Sequence, residues 1–193
     1  MKYYLDITLL SSSEIDHHFL LSRVYQQIHL GLVEIKDADN KVQIGVAFPD
    51  YNARANRLGS KLRLLAKDSA ILENFNANNR LNRLSDYIDI TSICDVPTTV
   101  VTYASFHRIQ PKSNNKSHAR RKAKRENITC EQALAILEKY PVKPTKAPYL
   151  YIKSLSSSEK FSLYIDFTEH KTGNSDANFG TYGLSKHSTV PVF

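Results

Sequence analysis

The periodicities along the chain predict an α+β fold: a mixed N-terminal domain, then a region built on a basic helix and a β-hairpin. Three observations predict it. Residues 1–96 alternate strand-like and helix-like stretches in the order β-α-β-β-α-β. Residues 149–168 hold two alternating stretches around a short serine-rich turn. Between them, FHRIQPKSNNKSHARRKAKR at 106–125 has eight Lys or Arg, no Asp or Glu, and good helix formers at its end.

Each element has a local reason. YYLDITL at 3–9 alternates and is rich in β-formers, so it reads as a strand. SSSEID at 11–16 opens a helix, because Ser and acidic residues suit a first turn. Ile15, Phe19, Val24, Ile28 and Leu32 then give that helix one apolar face. VQIGVAF at 42–48 is the next strand, ended by Pro49 and Asp50, and KLRLLA at 61–66 follows Gly59 as a third. Ile71, Leu72, Phe75, Leu81 and Leu84 predict one helix from about Asp68 to Leu84, and YIDITSI at 87–93 is a weaker fourth strand. This order is the ferredoxin-like pattern, two helices on one face of a four-stranded antiparallel sheet. Its other face often carries RNA in proteins of this topology.

Pro97 marks a boundary between domains 1–96 and 97–193. TVVTYASFHRIQ at 99–110 is an extended strand leading into the basic run, and Ser117 is the expected N-cap of a helix over 117–126. Thr129 and Gln132 form a capping-box pattern ahead of the helix CEQALAILEKY, which Pro141, Pro144 and Pro148 stop. YLYIKSLS and KFSLYIDFT form the hairpin, and FGTYGLSKHSTVPVF, rich in Gly and Ser, closes the chain with no strand assigned to it.

The charge is localised. The 193 residues include 26 Lys or Arg and 19 Asp or Glu, a net charge of +7; outside 106–125, 18 basic residues face 19 acidic ones. A polyanion, most often nucleic acid, is the expected partner. A solvated cationic helix is the bland alternative. Membrane insertion is not expected, since no window approaches eighteen apolar residues, and Asp6 spoils MKYYLDITLL as a signal peptide. Cys94 and Cys130 lack metal-type spacing and read as reduced thiols of a cytoplasmic protein. Glu169 beside His170 is poor metal geometry, so no metal or cofactor is expected. His17 and His18 are expected to face solvent.

On a helix, Arg121, Lys124 and Arg125 share a face, and Lys116, Arg120 and Lys124 form an adjoining row. Such a helix repels itself alone and gains beside closely spaced phosphates, where counterions are released. Arg108 and Gln110 precede it on one face of a strand; Arg matches the guanine edge and Gln the adenine edge. Lys112 and Arg120 extend the cationic set.

YYLDITL, IHLGL at 28–32, IGVAFPD at 44–50 and YGLSKHSTVPVF at 182–193, with HRIQPKSN and the basic helix between them, resemble the CRISPR repeat-RNA endoribonucleases of type I-F systems. The resemblance spans nearly the whole chain. It implies a ferredoxin-like domain and an arginine-rich helix that together bind the repeat hairpin. It further implies a metal-independent cut at the 3′ base of the stem, and retention of the product within a surveillance complex with other subunits. Target DNA would be met only indirectly. The resemblance puts the catalytic histidine on His29, the active-site serine on Ser154 and the supporting tyrosine on Tyr182. It puts base reading on Arg108 and Gln110, phosphate clamping on Arg121, Lys124 and Arg125, and the ring that stacks on the stem on Phe161.

The chemistry fits these residue types. RNA carries its own nucleophile, the ribose 2′-OH, so the protein must hold in-line geometry and move protons. A histidine suits that task because its reference pKa of about 6.5 lies near working pH. A module that binds the hairpin without cutting remains the alternative, and a generic basic nucleic-acid-binding protein a third.

Overall fold

A computed structural model describes residues 1–11, 13–100, 102–111, 115–139, 145–154, 159–174 and 176–193, with 115–117 described by backbone alone. The chain divides into two units, one of Met1–Ile109 with Ala147–Phe193 and one of Gln110–Lys146. It is a mixed helix-and-sheet protein, as the periodicities predict. Among the described residues no helix is long and apolar enough to cross a membrane.

In the first unit, β1 (Tyr3–Leu9) leads to α1 (His17–Glu34), β2 (Lys41–Val42), β3 (Gly45–Ala47) and β4 (Lys61–Ala66). The chain goes on through α2 (Ser69–Phe75), α3 (Ala77–Arg80), a 3-10 segment Asn82–Tyr87, β5 (Ile88–Ile90) and β6 (Cys94–Asp95). Strands run β3-β4-β1-β5 across the sheet, all neighbours antiparallel, with β6 also paired to β1. Leu20, Val24, Ile28 and Leu32 of α1 join Leu5, Ile7, Leu62 and Leu64 in the core.

Three elements depart from the sequence reading, each for a physical reason. The first helix begins at His17, not at the serines, because Asp16 is the N-cap and its Oδ1 accepts from Phe19 N at 2.8 Å. Phe19 lies inside the helix but off the buried face formed by Leu20, Val24, Ile28 and Leu32, and it is 55% exposed. The stretch 42–48 is two short strands. Val42 pairs with Phe179 while Gly45 to Ala47 pair with β4, and the Phe179 ring lies so close to Gly45 that a Cβ would sit 2.7 Å from its edge. The single helix expected over 68–84 is interrupted at Asn76, which takes the left-handed conformation (φ 48°) and accepts from Asn79 N through its side chain.

The same unit contains β7 (Thr102–Ile109), which ends one residue before Gln110. It is joined by β8 (Tyr149–Lys153), β9 (Lys160–His170), β10 (Phe179–Gly180) and β11 (Val190–Val192). β8 and β9 are the expected hairpin, in a sheet ordered β11-β7-β9-β8, while β10 pairs with β2. β10 and β11 lie in the segment to which no strand was assigned. β11 tolerates Pro191 because it is an edge strand, where a missing N–H costs no ladder bond.

β8 is the opposite edge, and α1 covers it. Tyr151 N donates to Ser22 Oγ at 3.1 Å and Lys153 N to Gln26 Oε1 at 2.7 Å. His18 Nε2 donates to the Tyr149 carbonyl at 2.8 Å, so His18 is engaged rather than solvent-facing. Covering an edge in this way removes a template for unwanted strand pairing.

The second unit is a helical hairpin of α4 (Asn115–Glu126) and α5 (Cys130–Glu138). α4 starts two residues before Ser117. Asn127 in the left-handed region (φ 53°) ends it, and the Thr129–Gln132 capping box starts α5 as expected. Ala119, Ala123 and Ala133 form the seam, with Ile128, Leu134 and Leu137 packed around it. Small residues at four-residue spacing allow close approach and leave the cations on the outer face.

Candidate active site

His29 sits in the second half of α1 and is buried, with 7% of its surface exposed. Its Nδ1–H donates to the Thr181 carbonyl at 2.8 Å. A carbonyl only accepts, so the neutral ring carries its lone pair on Nε2. The Tyr182 ring stacks on the imidazole at 4.1 Å between centroids and 9° between planes. Burial lowers the His29 pKa below its ordinary value, while the Thr181 carbonyl pulls in the opposite direction. The result is an oriented imidazole that favours the neutral, proton-accepting form.

Two of the quoted sequence stretches, IGVAFPD and the YGLSK start of the last one, build this environment jointly. Gly183 N donates to Gly180 O at 2.7 Å, closing a tight turn that presents Thr181 and Tyr182. Gly183 itself has φ +68°, and Val46 N donates to its carbonyl at 2.8 Å, clipping the turn to β3. A Cβ at Gly183 would sit 2.2 Å from Val46 Cγ2, so IGVAFPD and YGLSK meet at a contact only glycine permits. From below, the fully buried Tyr25 hydroxyl donates to Tyr182 O at 2.7 Å. Burial pushes the Tyr25 phenol well up, which keeps it a donor.

Arg108, near the end of β7, lies over two rings: its guanidinium carbon is 5.3 Å from the Phe161 centroid and 5.7 Å from that of Tyr182. Its buried Nε has no hydrogen-bond partner. A buried donor left unpaired is costly, so Arg108 is a side chain that a hydrogen-bond acceptor would stabilise. Phe161 is on β9 opposite Ile152 and is half-buried, neither core nor free. Ser154 follows β8, and its backbone N donates to Glu159 O at 2.8 Å. It comes directly after Lys153, whose amide is held by Gln26, three residues before His29 on α1.

His29, Tyr182, Arg108 and Phe161 are thus linked through successive ring contacts in one unit. Gln110 is exposed and belongs to the other unit. Lys112 lies outside the described residues. Arg120, Arg121, Lys124 and Arg125 are exposed on α4. Arg125 and Lys122 both pair with Glu126, at 3.0 and 2.7 Å. Among the described residues no group of three or more His, Cys, Asp or Glu is placed to hold a metal.

Residues not singled out in the sequence hold the imidazole in place. Thr181 acts through its backbone carbonyl, which no side-chain pattern reveals. Tyr25 follows the helical spacing of a core residue and gives no other sign. Gly183 and Val46 fall inside the two quoted stretches, where the glycine is the legible sign of a special backbone.

The fold and site define a class: an α+β protein with one buried, base-ready imidazole stacked among aromatic rings, and a separate helical hairpin with an outer cationic face. The CRISPR-associated protein family Cas_Csy4 matches residues 4–193, and the chain belongs to that family. It is 31% identical over 193 residues to a CRISPR-associated endonuclease Cas6/Csy4 of Escherichia coli (strain UTI89 / UPEC), covering 100% of both chains. It is 30% identical, again over 193 residues and 100% of both chains, to a CRISPR-associated endonuclease Cas6/Csy4 of Pseudomonas aeruginosa (strain UCBPP-PA14).

Proposed function

We propose that this chain is a CRISPR pre-crRNA processing endoribonuclease that binds the repeat stem-loop and cuts at the 3′ base of its stem. The observation that carries the reading is the His29 imidazole, fixed by Thr181 as an Nε2 proton acceptor and stacked on Tyr182. Full-length similarity to proteins named as CRISPR-associated endonucleases supports it.

In the proposed reaction His29 Nε2 takes the proton of the ribose 2′-OH. That oxygen attacks the adjacent phosphorus and the bond to the 5′ oxygen breaks. The departing oxygen is protonated in turn, leaving a 2′,3′-cyclic phosphate and a 5′-OH. No metal takes part. Ser154 positions the attacking ribose and Tyr182 holds the imidazole. Arg108 and Gln110 read bases and Phe161 stacks on the end of the stem. Lys112, Arg120, Arg121, Lys124 and Arg125 clamp phosphates. The unpaired Arg108 Nε supports its part in this assignment. The strand order β3-β4-β1-β5, with α1 and α2 as the crossings, supports a ferredoxin-like scaffold. The protein then stays on the product, in the prokaryotic cytoplasm, as a subunit of a type I-F surveillance complex.

The test is incubation with the repeat hairpin in EDTA. Product ending in a cyclic phosphate is expected, and His29→Ala should bind the hairpin without cutting it. Tight binding by the unaltered chain with no product would leave a capping subunit instead. Equal binding of unrelated duplexes would overturn hairpin recognition.

A further inference from the structure

Beside the His29 site lies a groove of about 400 Å³, of whose lining residues only Phe161 has been assigned an RNA contact. Phe19 and Arg23 of α1, Tyr151 and Lys153 of β8, and Lys160 and Phe161 of β9 line it. Two of its aromatic rings are unusually exposed, Phe19 at 55% and Tyr151 at 50%. Three cations and no carboxylate line it among the described residues. Two of those cations, Lys153 and Lys160, are direct cross-strand partners. Like charges set opposite each other are unfavourable in an empty sheet and become favourable around an anion. Arg23 lies 5.7 Å from the Phe19 centroid, so the third cation flanks a ring.

The groove continues into the candidate active site. Phe161 belongs to both, since Arg108 lies over its ring. Phe19, Arg23 and Gln26 form one stripe of α1 that runs on toward His29, and at 1.5 Å per residue the stripe spans roughly 15 Å. Exposed rings for bases and cations for phosphates, along a path a few nucleotides long, are the parts of a single-strand binding site. A peptide segment would have to be acidic to suit it.

We propose that this groove holds the unpaired ribonucleotides that continue from the base of the bound stem. Their bases stack on Phe19 and Tyr151, and their phosphates lie against Arg23, Lys153 and Lys160. The inference rests on the proposed function and extends it: recognition includes a single-stranded flank as well as the hairpin.

The test uses three RNAs, each with 2′-deoxyribose at the scissile position. One ends flush at the base of the stem, one carries an unpaired 5′ extension and one an unpaired 3′ extension, with 2-aminopurine in each extension. One extension should raise affinity roughly tenfold over the flush hairpin, with its fluorescence quenched by stacking. A gain on the 5′ or the 3′ side assigns the groove to the strand entering or leaving the stem. Phe19→Ala with Tyr151→Ala should remove both the gain and the quenching. Both rings are exposed, and an unchanged melting curve checks that the variant folds. Lys153→Gln with Lys160→Gln should flatten the salt dependence of the gain. If neither extension adds affinity, or the double alanine variant keeps gain and quenching, the groove is not an RNA path and the proposal fails. Failure of the unaltered chain to bind the flush hairpin would instead overturn the proposed function, and this inference with it.

Discussion

Gly183→Ala tests whether the turn over His29 is built as described. The new Cβ would lie 2.2 Å from Val46 Cγ2 and 3.2 Å from Val46 N. The residue must also keep φ near +68°, which costs a non-glycine residue about 1–2 kcal/mol. Overpacking against Val46 adds about 1–3 kcal/mol. The expected loss is therefore about 2–5 kcal/mol, a fall in melting temperature of roughly 4–20 °C for a chain of this size. Val46→Ala removes the clashing methyl and leaves the backbone strain. By itself it costs about 1–3 kcal/mol through the cavity it creates. The double variant should then lose less than the two single losses combined, by about 1–3 kcal/mol. Thermal and urea unfolding of the four proteins by circular dichroism measures the cycle. Because the turn carries Thr181 and Tyr182, single-turnover cleavage by Gly183→Ala should fall as well. A melting temperature within a degree of the parent, or strictly additive losses, would refute the reasoning.

Three further outcomes are expected. His29 should titrate below about 6.5 by NMR, with the acid limb of the cleavage rate following it. A depressed folded pKa means that the unfolded chain binds the proton more readily. The stabilising contribution is thus complete above about pH 6.5 and is lost as pH falls toward the folded value; a midpoint at or above 6.5 would contradict this. Glu126→Gln releases Lys122 and Arg125 from their shared counterion, so hairpin binding should tighten at low salt and its salt slope steepen by up to about 1–2 phosphate contacts. An unchanged slope would show that these cations meet no phosphate. Asp6→Ala leaves the buried Arg63, bonded to Asp6 Oδ1 and Oδ2 at 2.6 and 2.8 Å, without its carboxylate. A loss of about 3–5 kcal/mol in urea unfolding is expected. A loss below about 1 kcal/mol would mean that water replaces the pair.

Much of this architecture is legible because it is local. Alternation at 3–9 and at 160–168, and the Thr129–Gln132 capping box, each concern residues a few positions apart, and each appears in the structure. The failures are tertiary or turn on one backbone angle. Asn76 interrupts an apolar periodicity that continues on either side of it, because a left-handed residue leaves no mark on the pattern. β11 is a strand only because β7 offers it a partner. The same division applies to the site. His29 is visible as a residue, whereas its neutral tautomer depends on a carbonyl 152 positions away. Ala119 and Ala123 look like gaps in a cationic helix until α5 supplies the surface they pack against.

The sealed edge of β8 bears on how a helix and a strand stay matched over successive turns. Four helical residues advance about 6.0 Å while two strand residues advance about 6.6–6.8 Å, so the matched bonds of α1 and β8 drift apart with every step. The three helix side chains are graded to this drift: short Ser22 at the centre, longer His18 and Gln26 on either side. The drift is about 0.6–0.8 Å per step along the axis, and the longer side chains on either side of Ser22 take it up. The last matched bond falls at Lys153, one residue before Ser154. Side-chain length thus fits one regular spacing to another.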